Sequence, residues 1–399
     1  VENVLASLQY GNLLALPMGY FHNYFGPTVT FAAVGVVAAT CYICLYSATL
    51  TPKFYHDHLI PCFSFPISAV SMVLQMSNLS TNIINFRIRC RGMVTGILGF
   101  CAMLGKTLFS FTYEKLFAPT HDVAGFWLLL VIVDFVVCLL GALLLRDYSY
   151  FVKEDTDEKE KAENQDTCIT ESKGKQSEIQ IRDVTGMALL KEFDFNFLLL
   201  SYVFRISVQT AYTSNIVIIL CTYNKENLAQ IILILGPLLS GVTRILAGSV
   251  SDLCIKRIPR TFFIASTTWI QASTLFLCCF YGEYTFVLLL NACFIFICGG
   301  IYFSVFLVFL SEIFGEKYFS VNLGGLLTAE GAFSGLLTLL TGFLYDRNVK
   351  EHQLHCHGNS CFFLSFMIYA LLSTISAILM SVMTKREWDW RSNKNVAEN

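Results

Sequence analysis

The sequence predicts an all-α polytopic membrane protein. Three observations carry that prediction: an apolar composition, recurrent apolar runs of roughly 20 residues, and a single charged linker that divides them. Of 399 residues, 55% are hydrophobic and 14% charged, with a mean hydropathy of +0.59. A water-soluble enzyme of this length carries far more charge, so most of the chain must be buried in lipid or in protein. The 35 Phe and 18 Tyr suit lipid-facing and interfacial positions. A net charge of −2 and a pI near 6.4 offer no basic surface for nucleic acid, so the partners expected are the bilayer and a small molecule. The 15 Cys sit along apolar stretches without finger-like spacing and read as small apolar residues.

A helix crosses the hydrocarbon with roughly 20 apolar residues at ~1.5 Å each, and on that measure about eleven spans are expected. They fall at 3–21, 27–49, 59–80, 92–113, 124–146, 193–220, 228–251, 261–281, 284–311, 319–345 and 361–384. Residues 147–191 break the series, and their core from Lys153 to Lys175 is so dense in Lys, Glu, Asp, Gln and Ser that it reads as a solvated loop. The expected organisation is an N-terminal helical bundle over 1–146, the linker 147–191, a C-terminal bundle over 192–384 and a tail over 385–399. Arg87, Arg89 and Arg91 share one loop, Lys256, Arg257 and Arg260 another, and Lys385, Arg386, Arg391 and Lys394 follow the last span. All lie on the linker side, which the positive-inside rule makes cytoplasmic. Opposite loops carry isolated Lys53, Lys115 and Lys225. An odd span count puts Val1 outside, with the expectation that one helix precedes it.

The two sides of the linker read as two copies of one module. Gly19 and Asn23 close the first span and Gly248 and Asp252 the seventh, both spaced G-x-x-x-[N/D]. With one preceding helix, these positions follow helices 2 and 8 of a six-plus-six arrangement. The pattern resembles the major facilitator superfamily, whose loops 2–3 and 8–9 carry G-x-x-x-D followed by basic residues. Lys256, Arg257 and Arg260 supply that charge in the second copy, whereas Asn23 stands in place of the usual Asp in the first.

Four further stretches, RGMVTGILGFCAMLGKTLFSFTYEKLF at 91–117, TRILAGSVSDL at 243–253, SEIFGEKYFSVNLGGLL at 311–327 and CHGNSCFFLSF at 356–366, resemble the nodulin-like branch, relatives of the monocarboxylate and oxalate/formate carriers. The resemblance implies two rocking helix bundles, a secondary-carrier role without a cofactor, and a small-molecule solute, with a cotransported proton as an open option. It also implies a disulfide between Cys356 and Cys361, whose C-x-G-x-x-C-F pattern the branch shares. His352, His355 and His357 lie in the same loop, in no standard zinc spacing, and read as loop polarity rather than a metal site. Gly92, Gly96, Gly99 and Gly105 in one span, and Gly324, Gly325, Gly331, Gly335 and Gly342 in another, read as surfaces where helices approach closely.

A charge at mid-bilayer costs at least ~2.5 kcal/mol on insertion scales and needs a partner, water or a function. Lys106, Asp134, Arg205, Arg244 and Glu330 occupy such positions. The resemblance assigns Lys106, Arg205, Arg244 and Glu330 to cavity-lining helices and Asp134 to a peripheral one. Ser201, Arg205, Gln209, Tyr212 and Asn215 share one helical arc, which faces either water or a buried interhelical network. Arg244 aligns with the helix 8 Arg of monocarboxylate carriers, but the Asp those carriers place four residues earlier is Ser240 here. Substrate binding is therefore expected at Arg205, Gln209, Tyr212, Arg244 and Lys106. Glu330 is expected to form an ion pair or to couple a proton. Three cations against one carboxylate point to an organic anion such as a monocarboxylate. A sensor on a carrier fold and a carrier of neutral or zwitterionic solutes are the rivals. The chain has no G-x-x-x-x-G-K-[ST], H-E-x-x-H or G-x-S-x-G, so neither direct ATP drive nor an enzyme is expected.

Overall fold

The computed structural model describes residues 2–50, 59–86, 90–146, 185–255, 257–349, 356 and 358–398. Lys53, Arg87, Arg89, the linker core from Lys153 to Lys175, Lys256, His352, His355 and His357 lie outside the described residues, as do the side chains of Arg391 and Lys394.

Regular structure among the described residues is helical throughout. In chain order the helices are α1 (Glu2–Tyr10), α2 (Ala15–Leu50), α3 (Leu59–Asn85), α4 (Arg91–Thr112), α5 (Val123–Leu144), α6 (Phe193–Ser214), α7 (Ile216–Thr222), α8 (Glu226–Cys254), α9 (Arg260–Tyr281), α10 (Thr285–Phe314), α11 (Phe319–Arg347) and α12 (Phe363–Glu398). Among the described residues nine helices are long and apolar enough to cross a membrane, or ten with the bent pair α6–α7 taken as one span. The chain is an integral, multi-pass membrane protein.

The difference from the expected count lies at the start, where Val4–Leu50 runs as one 47-residue helical stretch. At 1.5 Å per residue it is about twice as long as the hydrocarbon is thick. Gly26 breaks it, with φ 76° and ψ 178°, a conformation that a residue with a Cβ rarely adopts. Pro27 then opens the second segment, where a missing N–H costs nothing. The two expected spans 3–21 and 27–49 are thus the two arms of this stretch. At the other end α12 continues to Glu398, past the expected boundary at 384, because the polar run after Met383 contains no Gly or Pro to stop it.

Pairing repeats across the linker. The second arm of α2 packs on α5, and α9 packs on α12 in the same way. Between the halves, α4 lies along α8, and α1 with the first arm of α2 lies along α11. Those interhelical seams are set by glycine: a Cβ on Gly92 would stand 2.5 Å from the Gly248 carbonyl, and one on Gly19 would stand 2.6 Å from the Ser320 carbonyl. Close approach without a side chain is what lets membrane helices pack when lipid supplies no hydrophobic drive. Gly105 and Gly325 do not share this role, since a Cβ at the first would meet nothing and at the second only the tip of Leu16. Helix α5 is the least buried of these spans, with Cys138 its one buried residue, which is the profile of a lipid-facing helix.

The linker-side face is closed by ion pairs. Arg91 at the start of α4 pairs with Glu316 between α10 and α11. Arg260 at the start of α9 reaches Asp252 at 2.9 Å and Glu312 at 3.0 Å. Asp252 also accepts the backbone N–H of Met93 at 3.0 Å, joining one half of the protein to the other.

Candidate solute cavity

Behind that closed face lies a cavity of about 410 Å³ between the two halves. It is lined from α1, the turn after it, α3, α4, α6, α8, α10 and α11, a volume within the range that holds small ligands.

One wall is cationic. Lys106 on α4 and Arg244 on α8 both line the cavity. The stem of Arg244 passes over Gly99, where a Cβ would stand 2.6 Å from Cδ, and its guanidinium carbon sits 4.1 Å from the centroid of the Phe303 ring. Two of its nitrogens, Nε and Nη1, are buried without a hydrogen-bond partner. Among the described residues no carboxylate forms an ion pair with Arg244 or Lys106. Ser240, one turn away on α8, lines the same wall.

The facing wall is polar and carries one carboxyl. Glu330 on α11 is buried and accepts from Asn12 Nδ2 at 3.0 Å and from Thr210 Oγ1 at 3.2 Å. Its expected ion pair is therefore absent among the described residues: neutral donors from both halves of the protein hold it, and the cations stand on the other wall. Gln9, which donates to Ser214 Oγ at 3.1 Å, Gln75, Thr213 and Gln209 complete this side.

The arc on α6 turns differently from a water-facing stripe. Ser201 donates to the Ser376 carbonyl and shares a hydroxyl contact of 2.8 Å with Ser376 on α12. Tyr212 is buried beside Phe366, with ring centroids 6.3 Å apart, and Asn215 donates back to the Ala211 carbonyl at 2.9 Å. Arg205 is fully buried and does not line the cavity. Of the arc only Gln209 does, and the residues of α6 that share the cavity with it are Tyr202, Ile206, Thr210, Thr213 and Ser214. A periodic polar arc reveals a shared face but not the neighbour it meets, and here Ser201 and Tyr212 meet α12 while Arg205 meets Tyr302 of α10. Asn12, Gln9, Gln75 and Thr210 went unread because they are uncharged; a lone amide or hydroxyl inside an apolar span was their only signal.

The motif residues separate. Asp252 sits in the ion-pair network, Gly248 and Gly19 on the seams, while Asn23 is exposed. Cys356 and Cys361 are joined by a disulfide. Beside it, Asn359 accepts from Tyr223 at 3.0 Å and donates to the Cys279 carbonyl at 2.9 Å, fastening α9 and the end of α7 to this loop. Cys41 and Cys44 form a C-x-x-C spacing within α2, and both thiols are free. No group of three or more His, Cys, Asp or Glu among the described residues is placed to hold a metal ion.

No protein-family model matches the chain, and no curated protein matches it. Solved structures do. The human organic anion transporter MFSD10 (TETRAN) superposes with a TM-score of 0.64 at 12% identity, covering 95% of this chain and 82% of that one. The proton:xylose symporter XylE of the major facilitator superfamily, bound to 6-bromo-6-deoxy-D-glucose, gives 0.65 at 14% identity over 96% and 84%. The transporter FucP in the outward conformation gives 0.58 at 12% identity over 95% and 89%. The chain has the major facilitator fold. In that fold α4 and α8, which carry the cationic wall, and α2 and α11 form the contacts between the halves.

Proposed function

We propose that this chain is a secondary carrier of small organic anions, carboxylates in particular, on the nodulin-like, monocarboxylate-porter-like branch of the major facilitator superfamily. The observation that carries the reading is the pair Lys106 and Arg244: two cations share one wall of a membrane cavity and no carboxylate among the described residues pairs with them. Such charges inside a bilayer are retained where they meet a counter-charge or a solute. A carboxylate accepts paired hydrogen bonds from a guanidinium and cancels its charge at the same time. The α4/α8 and α2/α11 seams supply the sliding contacts for alternating access, and the closed linker-side face represents one of its two states. Glu330, held by neutral donors among the described residues and reached from the cavity, is the group we assign to proton coupling.

Uptake of labelled carboxylates into proteoliposomes, with and without a pH gradient, tests the reading. Saturable uptake that falls roughly ten- to a hundredfold in Arg244→Gln is expected, the loss of one charged hydrogen-bond pair. Uptake of a neutral solute that survives Arg244→Gln, with no uptake of any carboxylate, refutes it.

A further inference from the structure

The guanidinium of Arg205 belongs to neither wall of the cavity. It is 0% exposed, and its carbon lies 4.4 Å from the centroid of the Tyr302 ring. Nη1 donates to Gln209 Oε1, whereas Nε and Nη2 are buried without a partner. No ion pair to Arg205 forms among the described residues. The stacked ring and one neutral amide satisfy only part of a group that presents five N–H donors in a fixed fork and keeps its charge at any ordinary pH.

Gln209 separates this charge from the cavity, because it lines the cavity and Arg205 does not. Its amide rests on α10 at a place only glycine provides: a Cβ on Gly299 would stand 2.1 Å from Nε2 and 2.7 Å from Oε1. All three of the nearest atoms to that Cβ belong to the end of the Gln209 side chain. The amide is thus a neutral cover, seated on one glycine and held by one hydrogen bond to the cation beneath. A carboxylate arriving from the cavity is the better acceptor for the same fork, since it takes two N–H bonds and neutralises the charge.

We propose that Arg205 is a second, covered anion subsite and that a solute carboxylate displaces the Gln209 amide to reach it. The solute class is then a dicarboxylate, with one carboxylate on the Lys106–Arg244 wall and the other on Arg205. This rests on the anion-carrier reading and narrows it.

The test is equilibrium binding to the purified full chain, using propionate and the dicarboxylates from malonate to adipate. At least one dicarboxylate is expected to bind about tenfold or more tightly than propionate, the worth of one further charged pair. Gly299→Ala unseats the cover and raises dicarboxylate affinity severalfold, because less of the protein sits in the closed form. Gln209→Glu supplies an internal carboxylate to Arg205 and brings the dicarboxylate preference toward unity, as does Arg205→Gln. If propionate binds as tightly as every dicarboxylate, or if Gln209→Glu leaves a preference intact, Arg205 is a structural cation and the covered subsite is wrong, with the anion-carrier reading still standing. Folded protein that binds none of these anions overturns both.

Discussion

The carboxylate of Asp252 on α8 accepts the backbone N–H of Met93 in the first turn of α4 at 3.0 Å. That N–H has no partner within its own helix, and the helix dipole favours a negative charge there, so one side chain caps a helix of the opposite half. Arg260 holds the same carboxylate from the other side at 2.9 Å. Asp252→Ala should loosen the closed linker-side face by ~1–2 kcal/mol. Hydrogen exchange across residues 91–96 is then expected to quicken roughly tenfold. Unchanged protection of that segment would show that Arg91 and Glu316 close the face without it.

Ser240 offers a second handle, because it lines the cavity one turn from Arg244, at the position where the resembling carriers have Asp. Ser240→Asp places a fixed carboxylate beside an Arg that has none paired with it among the described residues. An internal counter-ion competes with the solute for the same fork, so carboxylate affinity is expected to fall about tenfold. Isothermal titration of the two proteins side by side reads this directly. Equal affinities would mean that Arg244 does not carry the solute.

Most of the spans and of the glycine seams were legible because each rests on a local property: apolar length or a missing side chain. Lys106, Arg244 and Glu330 were legible for a similar reason, since a charge in a long apolar run is conspicuous whatever surrounds it. The orientation of α6 was not. Ser201, Arg205 and Tyr212 keep a 3.6-residue arc whether that arc meets water or Ser376 and Phe366 on α12, and only the packing of α10 and α12 against it decides. The ties from Arg91 to Glu316 and from Asp252 to Met93 join residues more than a hundred positions apart, beyond the reach of periodicity. The break at Gly26 falls where the boundary between the spans 3–21 and 27–49 is expected; what the G-P pair did not show is that the chain keeps helical hydrogen bonding almost through it, where a loop was read.

Glu330 bears on coupling. Asn12 and Thr210 both donate to it, and a glutamine there retains one acceptor for either donor at nearly the same volume. Glu330→Gln should therefore fold, with thermal stability within ~1 kcal/mol of the parent. An inward proton gradient is expected to accelerate carboxylate uptake by the parent and leave that of Glu330→Gln unchanged. A variant that still responds fully to the gradient would move the coupling proton to another group.

The disulfide between Cys356 and Cys361 closes a short loop whose neighbours are spread across four helices. Cys356 N–H donates to the Tyr345 hydroxyl of α11 at 3.1 Å, Gly358 N–H to the Thr222 carbonyl of α7 at 3.3 Å, and Asn359 to the Cys279 carbonyl of α9 at 2.9 Å, just before α12 begins. Chain-entropy arguments give a loop this short roughly 2 kcal/mol, at the low end for a native bridge. Cys356→Ser leaves the cavity untouched, since no residue of this loop lines it. The expected result is a melting temperature lowered by a few degrees with carboxylate affinity unchanged, read by a thermal shift and a titration on the same preparation. Reduction should lower the parent's melting temperature to that of the variant and leave the variant's own where it is. A loss of affinity in Cys356→Ser would instead tie this loop to the solute path.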